Sequence, residues 1–392
     1  MLAQNITGRN SVTELNRRLM IAGAATAIPG LAFAQESKAQ LGTPRSVITN
    51  PPRDFGPGAP PPGSPDPDII RIDPSFGTLL IGQAAIKRVS TGYHFLEGPA
   101  WSAVGLYLIF SDVKEDTLYR YLWDDGQVTV MRKPSFSTNG NSFDFQGRQL
   151  STQDYFRRVV RWELDGSMSI VADAYDGKPL NSPNDVAPHK DGSVWFTDPL
   201  FGANLAEGHP DEGDGPTNPG GLRDPRIGHS GVGLIGSMKQ VLPANVYRAD
   251  PSGRVDLMLP FEQGLGPNGL CFSPDYSKLY IIRAGRIHVG DVVGGKLSNV
   301  REFTDCMVDG IRCGADGMRA DKAGNIWASS SAPLGYCGVT VWNPAGKLIG
   351  RIRLPEGCAN VCFGGPKRDH LFMTATQSLY MLRVNIQGAA PG

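Results

Sequence analysis

The sequence predicts an all-β protein built as a six-bladed β-propeller, and two regularities in the chain support this. A polar residue leads into a short apolar segment six times along the 392 residues, at Glu97, Asn141, Asn184, Asn268, Asp316 and Asn360. These leading residues lie 44, 43, 84, 48 and 44 positions apart, and a second short apolar segment follows each of them. A period of about 40–50 residues with several strands per unit is typical of propeller blades.

Composition fits this fold class and excludes some partners. The chain contains 49 Gly and 31 Pro, which suit strands and turns better than long amphipathic helices. Its 38 basic residues balance 38 acidic ones, and no dense run of Lys and Arg occurs. We therefore expect neither nucleic acid nor an anionic membrane surface to be a main partner. Composition leaves the oligomeric state open.

Each blade is expected to contain four strands. The last blade runs out of chain after its third strand, at residues 379–382, so its outer strand has to come from elsewhere. Residues 85–89 provide a suitable apolar segment, and pairing them with the last blade would close the ring and leave no exposed edge. The propeller is therefore expected to span residues 78–392 as a single domain.

The doubled spacing marks an insertion in the third blade. Residues 202–240 are rich in Gly and Pro and lack strand patterns. A long structureless segment within a compact domain is usually functional or disordered. We expect it to act as a lid over the channel mouth or as an oligomer contact.

The N-terminal residues predict an export signal followed by an extended strap. Arg17 and Arg18 precede a mildly apolar run that ends in the small-residue pattern of Ala32 to Ala34. This arrangement predicts a twin-arginine signal peptide over residues 1–34, and the run is too short to span a membrane. Residues 35–77 are rich in Pro and Gly and are expected to form a strap over the surface. The mature protein would then be periplasmic.

The radial arrangement of blades would bring the six leading residues together at one mouth of the central channel. One Glu, one Asp and four Asn would form a ring rich in oxygen atoms. Such ligands suit a hard divalent cation such as calcium, and the absence of His and Cys from these positions disfavours zinc or copper as the preferred ion. The alternative is that pairs such as Asn268-Gly269 and Asp316-Gly317 only shape turns.

Two further side chains are candidates for contact with a substrate. His94 stands three residues before Glu97 and could reach the channel mouth. Arg283 follows a strand directed at the same face and could contact an anionic group. Structural or surface roles remain the alternatives for both.

Four motifs resemble the gluconolactonase and regucalcin (senescence marker protein) family of six-bladed propellers. They are Glu97-Gly-Pro-Ala-Trp101, Asn181-Ser-Pro-Asn-Asp185 with Phe196-Thr-Asp-Pro199, Gly266-Pro-Asn-Gly-Leu270 and Ala315-Asp-Gly-Met318. The resemblance covers essentially residues 75–385. One difference is that Ser182 stands where regucalcin-type members carry an arginine that touches the sugar.

The resemblance implies a site that binds one divalent cation, usually calcium, with zinc or manganese as substitutes. The implied ligands are Glu97, Asn184, Asn268 and Asp316. Asn184 would also contact the substrate, Asp185 would be a neighbouring carboxylate, and Asn141 would face the substrate or bind water.

The function expected from this resemblance is the metal-dependent hydrolysis of a lactone, a reaction on a carboxylic ester. The general base would be Asp316, with Asp185 as the second candidate. Two other functions stay open: a phosphotriesterase that uses the same metal site, and a non-catalytic binding propeller. A shared fold does not fix the substrate.

The export signal yields a direct prediction. Replacing both Arg17 and Arg18 with Lys should leave the precursor in the cytoplasm, because twin-arginine export depends on the paired arginines. Cell fractionation with immunoblotting measures the distribution of the protein. Arrival of the unmodified protein in the periplasm of a strain without the twin-arginine translocase would contradict the assignment.

Overall fold

The computed structural model describes residues 47–50, 52–56, 58–60, 63–199, 201, 242–260 and 266–389. Nearly all regular structure in these ranges is β-strand, and six sheets of mostly four strands form the blades of a propeller. This confirms the predicted fold class. The predicted signal peptide and the insertion at 202–240 lie outside the described residues. No helix in the described part of the chain is long and apolar enough to cross a membrane.

The chain enters the propeller through three short elements. They are β1 (Ile69–Arg71), α1 (Pro74–Thr78) and β2 (Lys87–Thr91). The α1 helix begins at the cap residue Asp73, whose carboxylate accepts a hydrogen bond from the Ser75 amide. Such side-chain capping satisfies a backbone donor that the first turn leaves unpaired.

The blades follow in chain order. Blade one contains β3 (Leu96–Ser102), β4 (Tyr107–Asp112), β5 (Thr117–Leu122) and β6 (Val128–Arg132). Blade two contains β7 (Thr138–Phe143), β8 (Gln149–Gln153), β9 (Arg158–Trp162) and β10 (Met168–Ala172), and a short hairpin, β11 (Ala174–Tyr175) and β12 (Lys178–Pro179), follows it. Blade three contains β13 (Val186–Pro188), β14 (Val194–Asp198), β15 (Asn245–Ala249) and β16 (Val255–Pro260).

The second half of the ring is built in the same way. Blade four contains β17 (Pro267–Phe272), β18 (Lys278–Arg283), β19 (Arg286–Val293) and β20 (Lys296–Thr304), and the hairpin of β21 (Met307–Val308) and β22 (Ile311–Arg312) follows it. Blade five contains β23 (Met318–Ala320), β24 (Ile326–Ser330), β25 (Gly338–Trp342) and β26 (Leu348–Arg353). Blade six contains β27 (Cys358–Gly364), β28 (His370–Ala375) and β29 (Ser378–Arg383).

The N-terminal segment closes the ring, as the sequence predicted. Strand β2 pairs antiparallel with β29, with Lys87 opposite Met381, and supplies the fourth strand of blade six. The closing strand runs over Lys87–Thr91, slightly later than the predicted 85–89. Strand β1, which lies within the predicted strap, adds a fifth strand to blade five by pairing with β26.

A buried ion cluster fixes the strap to the propeller. Arg53 Nη1 lies 2.7 Å from Asp66 Oδ1, and Arg353 Nη2 of β26 lies 3.1 Å from Asp68 Oδ1. The two aspartate side chains are fully buried. Removing one partner of such a buried pair leaves an uncompensated charge, so this cluster ties the strap to blade five.

Hydrophobic clusters fill the spaces between neighbouring blades. Blades six and one pack through Trp101 and Phe372, whose rings stack with centroids 6.1 Å apart. Blades three and four pack through Trp195 and Phe272 in an edge-to-face contact at 5.6 Å. Similar clusters lie between the other neighbours, and α1 adds Phe76 to the cluster between blades five and six. The core is thus divided among the blade interfaces around the channel.

Glycines allow the innermost strands of neighbouring blades to meet at backbone distance. Gly140 donates a backbone hydrogen bond to the Asn184 carbonyl at 2.9 Å, and Gly269 donates to the Asp316 carbonyl at 2.8 Å. A Cβ atom at Gly269 would overlap that carbonyl oxygen. Gly269 does not have a positive φ, so the turn interpretation of the Asn268-Gly269 pair does not explain this residue. Its role is close approach between blades.

Gly269→Ala should therefore destabilise the propeller by about 1–3 kcal/mol, because the added methyl group forces blades four and five apart. Urea unfolding measures the change. Gly82→Ala is the matched control, since no atom lies within 4 Å of its added Cβ and its φ is not positive. Equal stability of the two variants would contradict the close-approach role.

Candidate functional site

The innermost strands bring three carboxylates together near the channel axis. Glu97 lies in β3, Asp185 directly precedes β13, and Asp316 lies two residues before β23. The charges of Asp316 and Asp185 both raise the pKa of Glu97, and the charge of Asp185 raises that of Asp316. Residues that are distant in sequence therefore form one electrostatic unit, which we call the carboxylate cluster.

Glu97 is a buried member of the cluster. Burial, followed by the charge of Asp316, raises the pKa of Glu97 well above its ordinary value. Its Oε2 atom accepts hydrogen bonds from the Gly98 amide at 2.8 Å and from Asn360 Nδ2 at 3.0 Å. Asn360, the sixth leading residue of the repeat, thus orients Glu97.

Asp316 keeps some contact with solvent although protein surrounds it closely. Burial and the charge of Asp185 raise the pKa of Asp316 to about 7, and a hydrogen bond from the side chain of Asn268 opposes this. The Asp316 amide donates to Ser329 Oγ at 3.1 Å, which anchors the backbone. Asp316 is therefore a carboxylate that can exchange a proton near neutral pH.

Asp185 has more partners than the other two carboxylates. Its Oδ1 accepts from the Val186 amide at 2.9 Å, and its Oδ2 accepts from the Leu270 amide at 3.3 Å. Arg319 Nη1 lies 3.6 Å from Oδ2. Burial raises the pKa of Asp185, while Arg319 and these amides oppose the rise. Because Leu270 belongs to blade four, Asp185 also joins two blades.

The two predicted amide ligands lie beside the cluster. Asn268 is hydrogen-bonded through its side chain to Asp316. Asn184 is buried, and its backbone N–H donates to the Thr197 carbonyl at 2.9 Å. Its backbone carbonyl accepts from the Gly140 N–H and from Thr152 Oγ1 at 2.7 Å. Its backbone is therefore fixed by blades two and three.

The chemistry of these residues fits a hard divalent cation. In the described ranges, no three side chains of His, Cys, Asp or Glu gather closely enough to hold a metal by themselves. A cation would therefore have to use amide oxygens together with Glu97 and Asp316, and carboxylate and amide oxygens are ligands that calcium accepts. A cation would stabilise buried carboxylates whose pKa values are raised by burial and, for Glu97 and Asp316, by a neighbouring negative charge.

Asn141, predicted to face a substrate or water, is fully buried. Its Nδ2 donates to the Gly98 carbonyl and to Ser111 Oγ, both at 3.0 Å, and to the Asn139 carbonyl at 3.2 Å. Its Oδ1 accepts from Ser151 Oγ at 2.8 Å and Gln149 Nε2 at 3.2 Å. These bonds use the whole amide and favour a role in joining blades one and two over direct substrate contact.

The predicted substrate contacts His94 and Arg283 lie near the ring but outside the cluster. The His94 side chain is 61% exposed, and its Nδ1 lies 3.2 Å from Glu115 Oε1. It makes no hydrogen bond or ion pair with the three clustered carboxylates. Arg283 ends β18 directly opposite Pro267, the residue before Asn268. Contact of either side chain with substrate stays a prediction.

Two aspartates that the sequence analysis did not assign hold the loops that lead to Glu97 and Asn184. Asp112 accepts from the His94 amide at 3.0 Å and the Phe95 amide at 3.1 Å, just before Glu97. Asp198 accepts from the Asn181 amide at 2.8 Å and the Ser182 amide at 2.7 Å, just before Asn184. We call them the loop-holding aspartates. A shared signal was present, because Phe110-Ser-Asp112 and Phe196-Thr-Asp198 end equivalent strands of two blades.

The buried Arg319, the arginine that contacts Asp185, was also left unassigned by the sequence analysis. Burial lowers the pKa of Arg319, but Asp185 and then Cys362, Cys271 and Glu97 raise it by more. The sequence contained a signal for this residue, because Arg319 is a single basic residue between the apolar neighbours Met318 and Ala320 of a strand. A buried charge usually has a partner.

Fold and site together define a six-bladed propeller with a carboxylate and amide site at the channel. The family described as "SMP-30/Gluconolactonase/LRE-like region" matches residues 95–377. The chain belongs to this family, which confirms the resemblance drawn from its motifs. The match spans all six blades.

Named relatives are consistent with this membership. A gluconolactonase of Zymomonas mobilis subsp. mobilis is 29% identical over 353 residues, covering 83% of this chain and 88% of the relative. A pentonolactonase of Haloferax volcanii is 32% identical over 136 residues, covering 33% of this chain and 44% of the relative. A solved gluconolactonase structure from Xanthomonas campestris superimposes with a TM-score of 0.65 at 29% identity, covering 81% of this chain and 94% of that one.

Asp198→Asn should lower the free energy of unfolding by about 1–3 kcal/mol. The NH₂ group of asparagine would face one of the two backbone N–H groups, and a donor cannot accept a hydrogen bond from it. Urea unfolding at neutral pH measures this loss. The control is Asp165→Asn, because Asp165 also accepts two hydrogen bonds, from Ser167, but in an exposed turn. Equal small losses in both variants would show that Asp198 does not hold the loop.

Proposed function

We propose that this protein is a periplasmic, metal-dependent lactonase. Its broader class, a hydrolase acting on carboxylic esters, follows from its family and from relatives that are named lactonases. The observation that carries the finer proposal is the carboxylate cluster, in which Asp185 and Asp316 raise the pKa of Glu97 and Asp185 raises that of Asp316, beside two amide ligands. Calcium is the cation we favour, with zinc or manganese as substitutes.

The substrate class we propose is a sugar-type or other small lactone. The relatives from Zymomonas mobilis and Haloferax volcanii are a gluconolactonase and a pentonolactonase, and both names refer to lactones of sugar acids. Ser182 offers a small neutral side chain where regucalcin-type members have an arginine. This difference favours a substrate whose contacts on that side differ from theirs.

The residues that would hold the cation are Glu97, Asn184, Asn268 and Asp316. A divalent cation bound there would polarise the lactone carbonyl and stabilise the oxyanion of the tetrahedral intermediate. Asn360 and the Gly98 amide support this by holding the Glu97 carboxylate in one orientation. The loop-holding aspartates do the same for the backbone before Glu97 and Asn184.

Asp316 is the residue we assign as general base. A base works best when its pKa lies near the working pH, and the pKa of Asp316 is raised to about 7. A carboxylate oxygen of Asp316 would take a proton from the water that attacks the lactone carbonyl carbon, and would pass it to the ring oxygen as the ring C–O bond breaks. Asp185 is less suited to this role because two backbone amides and Arg319 already occupy its oxygens.

The periplasmic location is part of the proposal and rests on the sequence of the first 34 residues. The paired arginines and the short apolar run support export in the folded state. Export of a folded protein would allow the site to form before translocation. The fractionation experiment with the lysine variant tests this part separately from the activity.

The expected activity is lactone hydrolysis by calcium-loaded protein, lost after treatment with a chelator and restored by calcium. Asp316→Asn should lower kcat by about a hundredfold or more, because the amide is not a base, while calcium binding persists more weakly. A pH-stat assay on a panel of aldonolactones measures the rate. Isothermal titration with calcium measures binding.

Asp185→Asn is the paired variant. It should lower stability, since Arg319 would lose its ion-pair partner, and should reduce kcat less than Asp316→Asn. A loss of kcat confined to Asp185→Asn would assign the base to Asp185. If the protein hydrolyses fluorophosphates but no lactone, the phosphotriesterase function is favoured. If calcium-loaded protein hydrolyses neither panel, a binding propeller is favoured.

A further inference from the structure

Arg319 lies directly behind the carboxylate cluster in the propeller channel. It belongs to β23, three residues after Asp316, and only 9% of its surface is exposed. Its Nη1 donates to the Met318 carbonyl at 2.8 Å and lies 3.6 Å from Asp185 Oδ2. The guanidinium is therefore held by a backbone carbonyl and by the carboxylate of Asp185.

The two cavities beside this guanidinium have few other charged residues in their walls. Two small cavities share Arg319 as part of their walls. Trp101 and Cys362 line the first, and Leu270 and Cys271 line the second. Among the described lining residues, Arg368 in the first cavity is the other charged one. In such surroundings a cation needs a nearby anion, and the cluster provides it.

The charges of the site balance when Arg319 is counted. Glu97, Asp185 and Asp316 carry three negative charges when ionised, and Arg319 carries one positive charge, since both Asp185 and Glu97 act on it electrostatically. The remainder of two negative charges equals the charge of one divalent cation. Without the guanidinium, one divalent cation would leave a buried negative charge uncompensated.

We propose that Arg319 is a positioning residue that acts as the fixed second cation of the site. It holds Asp185 to one side, so that this carboxylate does not turn toward the metal, and it limits the site to one divalent ion of moderate affinity. The inference rests on the proposed function only for the position of the metal site. It adds a role for a residue outside the predicted ligand set.

The test is calcium titration of chelator-treated protein by isothermal titration calorimetry, with Arg319→Met as the main variant. Methionine keeps much of the length and removes the charge. We expect calcium to bind about tenfold more tightly or in two equivalents per chain, because a repelling charge is lost and Asp185 is released. If Arg319 supported the ligands only by packing, its replacement would loosen them, and calcium would bind more weakly.

Two controls separate charge from packing. Arg319→Lys keeps the charge and should retain one equivalent with nearly unchanged affinity. Arg368→Met removes the half-buried second arginine of the first cavity, which has no contact with Asp185, and should leave calcium binding unchanged. Arg319→Ala removes the charge and also vacates the space, so millimolar guanidinium, far below denaturing concentrations, should restore the unmodified protein's affinity to this variant.

Weaker or unchanged calcium binding by Arg319→Met, or no effect of guanidinium on Arg319→Ala, would overturn the inference. If Arg319→Met does not fold, a lysine variant that binds calcium with altered stoichiometry would also overturn it, while one that binds a single equivalent normally supports it. The lactone assay is read independently. Calcium binding that follows the expected pattern in a protein without lactonase activity would refute the proposed function and leave this inference intact.

Discussion

The close approach of the six innermost strands is the constraint on which the rest of this structure depends. A ring of six blades can close around a narrow channel only if neighbouring inner strands meet at backbone distance, and glycines permit this next to the site residues. Gly98 packs on the Asn139 carbonyl, Gly140 on that of Asn184, and Gly269 on that of Asp316. Each contact couples the position of a site residue to the neighbouring blade. The geometry of the site is therefore a consequence of ring closure and not of any single loop.

Ring closure also creates the electrostatic conflict at the centre of the molecule. It brings Glu97, Asp185 and Asp316 together in a buried place, where the charges of Asp316 and Asp185 oppose the ionisation of Glu97 and the charge of Asp185 opposes that of Asp316. Such an arrangement lowers stability unless a cation compensates it. The remaining structure offsets the cost through packed clusters between blades and the buried ion cluster of the strap. A site that is unfavourable by itself persists because the surrounding fold over-determines it.

The sequence predicted the fold and the convergence of the ring well, because periodicity reports directly on repeated blades. The polar residue that leads each inner strand is visible in a single sequence, and so was the need for an N-terminal closing strand. The contacts of Asn141 were not predictable, since its partners Gly98, Ser111 and Ser151 come from different strands of two blades. The role of Arg319 also escaped prediction, because its partner Asp185 lies in another blade and only the tertiary structure brings them together.

The different surroundings of two aspartates explain how residues of one type acquire different roles in this site. Asp185 is held by two backbone amides and a guanidinium, all of which favour its ionised form, so its charge serves to fix Arg319 and join blades. Burial and the charge of Asp185 raise the pKa of Asp316 to about 7, and the hydrogen bond from Asn268 opposes this rise. Burial also raises the pKa of Asp185, but more groups there favour the ionised form. Such differences between the surroundings of two carboxylates commonly divide acid–base work between them. The assignment of Asp316 as base thus depends on what surrounds each carboxylate, and Arg319 is the group that makes the two environments differ.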